Sequence, residues 1–142
     1  MPEKSRSEVP TRERIAAAAR EVAAVHDCEL VVLFGSAARG DGAPRDIDLG
    51  ILCPAPPDLV ALTNAFIRAL RFQHVDLVDL RRADPLLAML VARDGVLLHE
   101  DAPGRFAEFT SLAVRRYADT AKFRALEHAE IRAFIERSGV GP

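Results

Sequence analysis

The chain has 142 residues, 49% of them hydrophobic and 28% charged, which is enough apolar material for one compact domain with its own core. Its formal net charge of −2 lacks the basic excess that extended, sequence-independent contact with nucleic-acid phosphates needs. No apolar run approaches the roughly 20 residues that span a bilayer, and the opening "MPEKSRSEVPTRER" has no apolar signal core, so a cytoplasmic protein is expected.

Residues 1–10 are polar with two prolines and are expected to form a flexible arm. Thr11 is a candidate N-cap. After it Ile15, Ala18, Ala19, Val22 and Val25 recur at three and four spacing, one face of a helix ending near His26. "ELVVLF" is short, rich in Val and Leu and bounded by Gly35, the pattern of a buried strand. "DIDLGIL" is a second strand, closed by "CPAPP", whose prolines cannot continue a ladder.

Leu59, Leu62, Phe66 and Leu70 mark the apolar side of a helix that starts at Asp58, and "HVDLVDL" follows as a third strand. Asp84 as N-cap, Pro85 at the first helical position and Gly95 just past the end frame another helix. "VLLH" is a short fourth strand. Residues 105–138 lack Pro and Gly, and Phe106, Phe109, Ala113 and Tyr117 keep helical spacing. The later apolar set Phe123, Leu126, Ile131, Phe134 and Ile135 does not continue that stripe, which predicts a bend or break near 118–122. This order of elements suits an α/β (α+β) domain, a three-to-four-stranded mixed sheet with helices mainly on one face.

Cys28 and Cys53 have no metal-ligand spacing and are expected as packed, reduced thiols. "LFGSAARGDGAPRDIDLGIL" carries more information. Alternate residues of a strand share a face, so Asp46 and Asp48 project together while Ile47, Leu49 and Ile51 point the other way. Two carboxylates held side by side repel, and a hard, oxygen-preferring cation such as Mg²⁺ relieves that repulsion. Gly35 allows close approach of the backbone to a ligand, and Ser36 opens a short helical turn through Ala37, Ala38 and Arg39 whose N–H groups favour phosphate. A phosphate cradle facing a metal site is more specific than either half alone.

An apolar residue, Gly-Ser, about ten residues, Asp-apolar-Asp-apolar and a later apolar-Asp-apolar strand form a pattern that resembles the nucleotidyltransferase superfamily that includes DNA polymerase beta. "FGSAARGDGAPRDIDLGIL", "VDLVDL" and "LLAMLVARDGVLLHED" together look like its minimal nucleotidyltransferase (MNT) branch, over roughly residues 15–101. The resemblance implies a polymerase-beta-like fold with a nucleotidyltransferase domain at 11–101 and a C-terminal helical segment at 102–142, packed on the domain or a partner. It also implies phosphate binding by Gly35 and Ser36, and ligation of two Mg²⁺ ions by Asp46, Asp48 and Asp76, with ATP as co-substrate. Asp76 and Asp79 face opposite ways, and the family pattern selects Asp76.

Family members commonly carry Ser before the first Asp, where this chain has Arg45. A cation there either clamps a triphosphate or pairs with Asp46. Arg39, in the family-like "ARG", is expected either to reach a phosphate or to be an exposed arginine of the helical turn. MNT proteins of this kind often act as antitoxins that transfer AMP onto a tyrosine of a HEPN-domain toxin ribonuclease. The alternatives are a binding module that neutralises its partner by contact, or a nucleotidyltransferase with a small-molecule acceptor. A homo-oligomer is a further option for the C-terminal segment.

Overall fold

In the computed structural model, which describes residues 8–40 and 44–139, helices and strands follow the order read from the apolar spacing. They are α1 (Arg12–His26), β1 (Leu30–Phe34), α2 (Ser36–Arg39), β2 (Ile47–Leu52), α3 (Leu59–Leu70), β3 (Val75–Asp79), α4 (Pro85–Asp94), β4 (Val96–Glu100) and α5 (Arg105–Ser138). Residues 1–7 of the expected arm lie outside the described residues, and Val9 packs against the core.

Local chemistry sets the helix ends. Thr11, Asp58 and Asp84 each accept a bond from a first-turn backbone N–H, namely that of Arg14, Ala61 and Leu87. Pro85 has no N–H to leave unsatisfied at the start of α4.

The four strands form one mixed sheet in the order β3-β2-β1-β4. β1 is antiparallel to β2 and to β4, and β2 is parallel to β3. The larger helical layer, α1 and α3, lies on one face and buries Val31, Leu33, Ile47, Leu49 and Ile51 with Phe66 at its centre. A smaller layer covers part of the other face, where Leu30 and Val32 meet Val91 of α4 and Phe109 and Ala113 of α5. Val25 departs from the expected apolar face of α1. It is exposed, because it lies in the last turn of the helix, beyond the stretch from Ile15 to Ala23 that packs on the sheet.

The expected break between Ala118 and Lys122 is absent, and α5 runs as one helix from Arg105 to Ser138. Nothing in this stretch interrupts the backbone ladder, since it holds no Pro or Gly. Thr120 and Arg124 both donate to the Tyr117 carbonyl, and the Arg124 guanidinium lies 3.9 Å from the Tyr117 ring centroid. The change of apolar stripe marks where the helix leaves the domain. Phe106, Phe109 and Ala113 pack on the sheet, whereas Phe123, Leu126, Ile131 and Phe134 are all exposed.

This division predicts unequal costs. Phe66→Ala, at a site 0% exposed, should lose about 3–5 kcal/mol of unfolding free energy in urea. Phe123→Ala, at a site 68% exposed, should stay within about 0.5 kcal/mol of wild type. A comparable loss at both positions would mean that the end of α5 packs on this domain.

Candidate nucleotide and metal site

β2 carries the centre of the site. Asp48 pairs across the ladder with Phe34 on β1 and with Asp76 on β3, so the two carboxylates stand on neighbouring strands with their side chains on one face. Asp46 precedes β2 by one residue and shares the parity of Asp48. Phe34 and Leu52 pack into the layer formed by α4 and α5, so this is the face on which Asp48 projects. Ile47, Leu49 and Ile51 anchor the opposite side of β2 in the α1–α3 core.

Gly35 follows Phe34 at the same end of the sheet. Its φ of +73° lies in the left-handed region, and a Cβ there would overlap the Asp48 carboxylate. The positive φ favours glycine, and any side chain there would also push the Asp48 carboxylate aside. α2 begins at the next residue, Ser36, and its early N–H groups have no intrahelical acceptor. A peptide turn of this kind offers hydrogen-bond donors to an anionic group.

The electrostatics register the crowding. Burial raises the Asp48 carboxyl above its ordinary value, and the charges of Asp76 and Asp46 add to the effect, while Arg39 opposes it. Arg39 also lies close enough to lower the Asp94 carboxyl at the end of α4, behind the larger effect of the Arg93 hydrogen bond. Asp94 is a neighbour of the site that the sequence pattern did not mark. Its position follows from β4, whose antiparallel pairing of Val96 with Leu33 brings the end of α4 back to the Gly35 edge.

Arg45 is exposed and makes no ion pair with any described residue, so the expected alternative of an Arg45–Asp46 pair is not formed. His74 stands near Asp46 instead, with Nδ1 4.0 Å from Oδ1, and its ring meets Phe72 edge-on at 5.6 Å. Asp79 ends β3, and its Oδ1 accepts from the Arg81 amide, away from the other acids. Cys28 and Cys53 are buried free thiols with Sγ atoms 3.8 Å apart. Burial, with help from Cys53, pushes the Cys28 thiol up to about 12, a value that keeps it protonated and inert.

The donor set suits a hard divalent cation. Three carboxylates on one face, one of them already penalised for its charge, gain from any positive ion placed among them. Among the described residues, no group of three or more His, Cys, Asp or Glu side chains is drawn together into a ligating cage. Asp48 and Asp76 are neighbours by register.

The family model described as polymerase beta nucleotidyltransferase matches residues 18–103, more than half of the chain. This chain belongs to that family. The nucleotidyltransferase is 26% identical over 125 residues to the protein adenylyltransferase MntA of Aphanizomenon flos-aquae (strain 2012/KM1/D3), a match covering 79% of this chain and 83% of the relative. Its fold is that of a chain in the crystal structure of a toxin–antitoxin with AMP-PNP, at a TM-score of 0.69 and 24% identity, covering 82% of this chain and 98% of the other. A tri-AMPylated HEPN toxin of Shewanella oneidensis in complex with its MNT antitoxin gives a TM-score of 0.67 at 24% identity, covering 85% and 99%.

The raised Asp48 carboxyl has a consequence for stability. Folding favours its protonated form, so this contribution is complete below pH 3.8 and is lost as the pH rises through the raised folded value. At neutral pH the ionised carboxylate is then a net cost. Asp48→Asn should melt above wild type at neutral pH in chelator-treated buffer, with the gap closing as the pH falls below 3.8. A variant no more stable than wild type at neutral pH would contradict the crowding of these acids.

Proposed function

We propose that this nucleotidyltransferase uses Mg²⁺ to transfer AMP from ATP onto a hydroxyl of a protein partner, and so acts as the antitoxin of a HEPN-type toxin that it modifies on tyrosine. The observation that carries the reading is the register that sets Asp48 against Gly35 and opposite Asp76, with the charge of Asp46 near enough to act on it. A pure binding module has no physical need to hold three acids together at a cost to one of them. The activity named for the MntA relative, and the HEPN toxin in complex with an MNT antitoxin among the structural relatives, support the same assignment.

In this reading Gly35 and Ser36 receive the phosphates through the backbone, and Arg39 and Arg45 offer charge to the triphosphate tail. Asp46, Asp48 and Asp76 would hold the metal. Two Mg²⁺ ions bound there would supply activation of the incoming hydroxyl and stabilisation of the departing pyrophosphate. The acceptor oxygen bonds to the α-phosphorus of ATP while the bond from that phosphorus to pyrophosphate breaks. Asp76 takes the hydroxyl proton. His74, beside Asp46, lies at the margin of the site and is given no proton in this scheme.

A second reading, neutralisation by contact alone, draws support from the exposed apolar stretch of α5. It leaves the three acids without a purpose. The two are separated by incubating α-phosphate-labelled ATP and Mg²⁺ with a lysate of cells in which the chain and its genomic neighbour are co-expressed. Wild type should label one protein band, and Asp48→Asn should label it about 10²-fold less or weaker still, while binding the same partner. Equal labelling by the variant, or neutralisation by the variant as complete as that by wild type, would overturn the catalytic reading.

A further inference from the structure

α5 packs on the face that bears Asp48 and then continues past it. It starts beside β4, where the Phe106 N–H donates to Glu100 at 3.1 Å, and it runs with α4 towards the Gly35 edge of the sheet. Beyond Tyr117, residues 118–138 add about 30 Å of helix at 1.5 Å per residue. Phe123, Leu126, Ile131 and Phe134 on this extension are each more than half exposed. A monomer seldom presents so many large apolar groups together without a partner for them.

The charges within the stripe say what that partner is. At 100° per residue, Phe123, Glu127, Glu130 and Phe134 fall within an arc of about 60°, with Leu126 and Ile131 on its flanks. Glu127 and Glu130 are exposed and make no ion pair with any described residue. Arg124, the cation one turn before Glu127, is turned back onto Tyr117 and Thr120.

In the registers that stack the aromatic residues, a second copy of this chain does not satisfy them. An antiparallel pair that stacks Phe123 on Phe134 sets Glu127 of one copy against Glu130 of the other, twice over by the two-fold symmetry. A parallel pair sets each glutamate against itself. Like charges fall opposite one another either way.

We propose that residues 123–135 of α5 are the docking ridge for the acceptor protein, and that they take a helical segment whose apolar face carries Lys or Arg opposite Glu127 and Glu130. This rests on the reading that the acceptor is a protein. α5 extends past the end of the sheet that carries Asp46, Asp48 and Asp76, so a partner held on it approaches from that side. Affinity comes from the aromatic and aliphatic anchors, and the choice of partner from the two acids.

Two stapled amphipathic helical peptides with the same apolar face, one with Lys and one with Glu at the flanking positions, test this by fluorescence anisotropy on the full chain. The Lys peptide should bind about tenfold or more tightly than the Glu peptide. The preference should vanish in Glu127→Gln/Glu130→Gln, and binding itself should fall in Phe123→Ser/Phe134→Ser. The free chain should sediment as a monomer. Equal affinity for the two peptides, no binding of either, or self-association abolished by Phe123→Ser would overturn the proposal. These outcomes do not depend on ATP. Charge-selective docking without AMP transfer would sink the catalytic reading alone, and AMP transfer without charge-selective docking would sink this inference alone.

Discussion

β2 lies between an antiparallel and a parallel neighbour, and its register with both decides what can happen at the Gly35 edge. Phe34 opposite Asp48 brings Gly35 against a carboxylate, and Asp48 opposite Asp76 brings a second acid alongside. A slip of one residue would turn every side chain of β2 over, placing Asp48 in the α1–α3 core and Leu49 in the cleft. The burial of Ile47, Leu49 and Ile51, each 0% exposed, prevents that slip. Core packing on one side of the strand therefore enforces an unfavourable cluster of charge on the other.

The helices divide the same labour. α1 and α3 supply most of the core, while α4 and the first turns of α5 cover the acid-bearing face and stop short of the acids. Beyond Tyr117 the helix leaves Phe123, Leu126, Ile131 and Phe134 exposed. Its exposed apolar groups reduce solubility unless something covers them, and the two glutamates in their midst limit what can do so.

Much of this was legible in the sequence, for identifiable reasons. Strand alternation put Asp46 and Asp48 on one face, caps at Thr11 and Asp84 marked two helix starts, and Gly-Ser after an apolar run located the turn. Long-range placement was less legible. Asp94 reaches the neighbourhood of Arg39 only through the antiparallel return of β4, and the approach of His74 to Asp46 depends on the β2–β3 pairing. The expected break in α5 was misread because a change in apolar phase was taken for a change in backbone, whereas it reports a change in surroundings. Val25 shows the same limit, since periodicity does not say where a helix outruns its sheet.

The central claim is that Asp46, Asp48 and Asp76 form one cation-dependent nucleotide site, and ligand-linked stability tests it most directly. Melting temperature would be recorded for wild type and Asp48→Asn with Mg²⁺, with a non-hydrolysable ATP analogue, and with both together. Whatever binds the folded state alone must raise its stability. The account predicts the largest rise in wild type with both ligands present, and little or no rise with both in Asp48→Asn. An equal rise in the two proteins, or none in wild type, would contradict it.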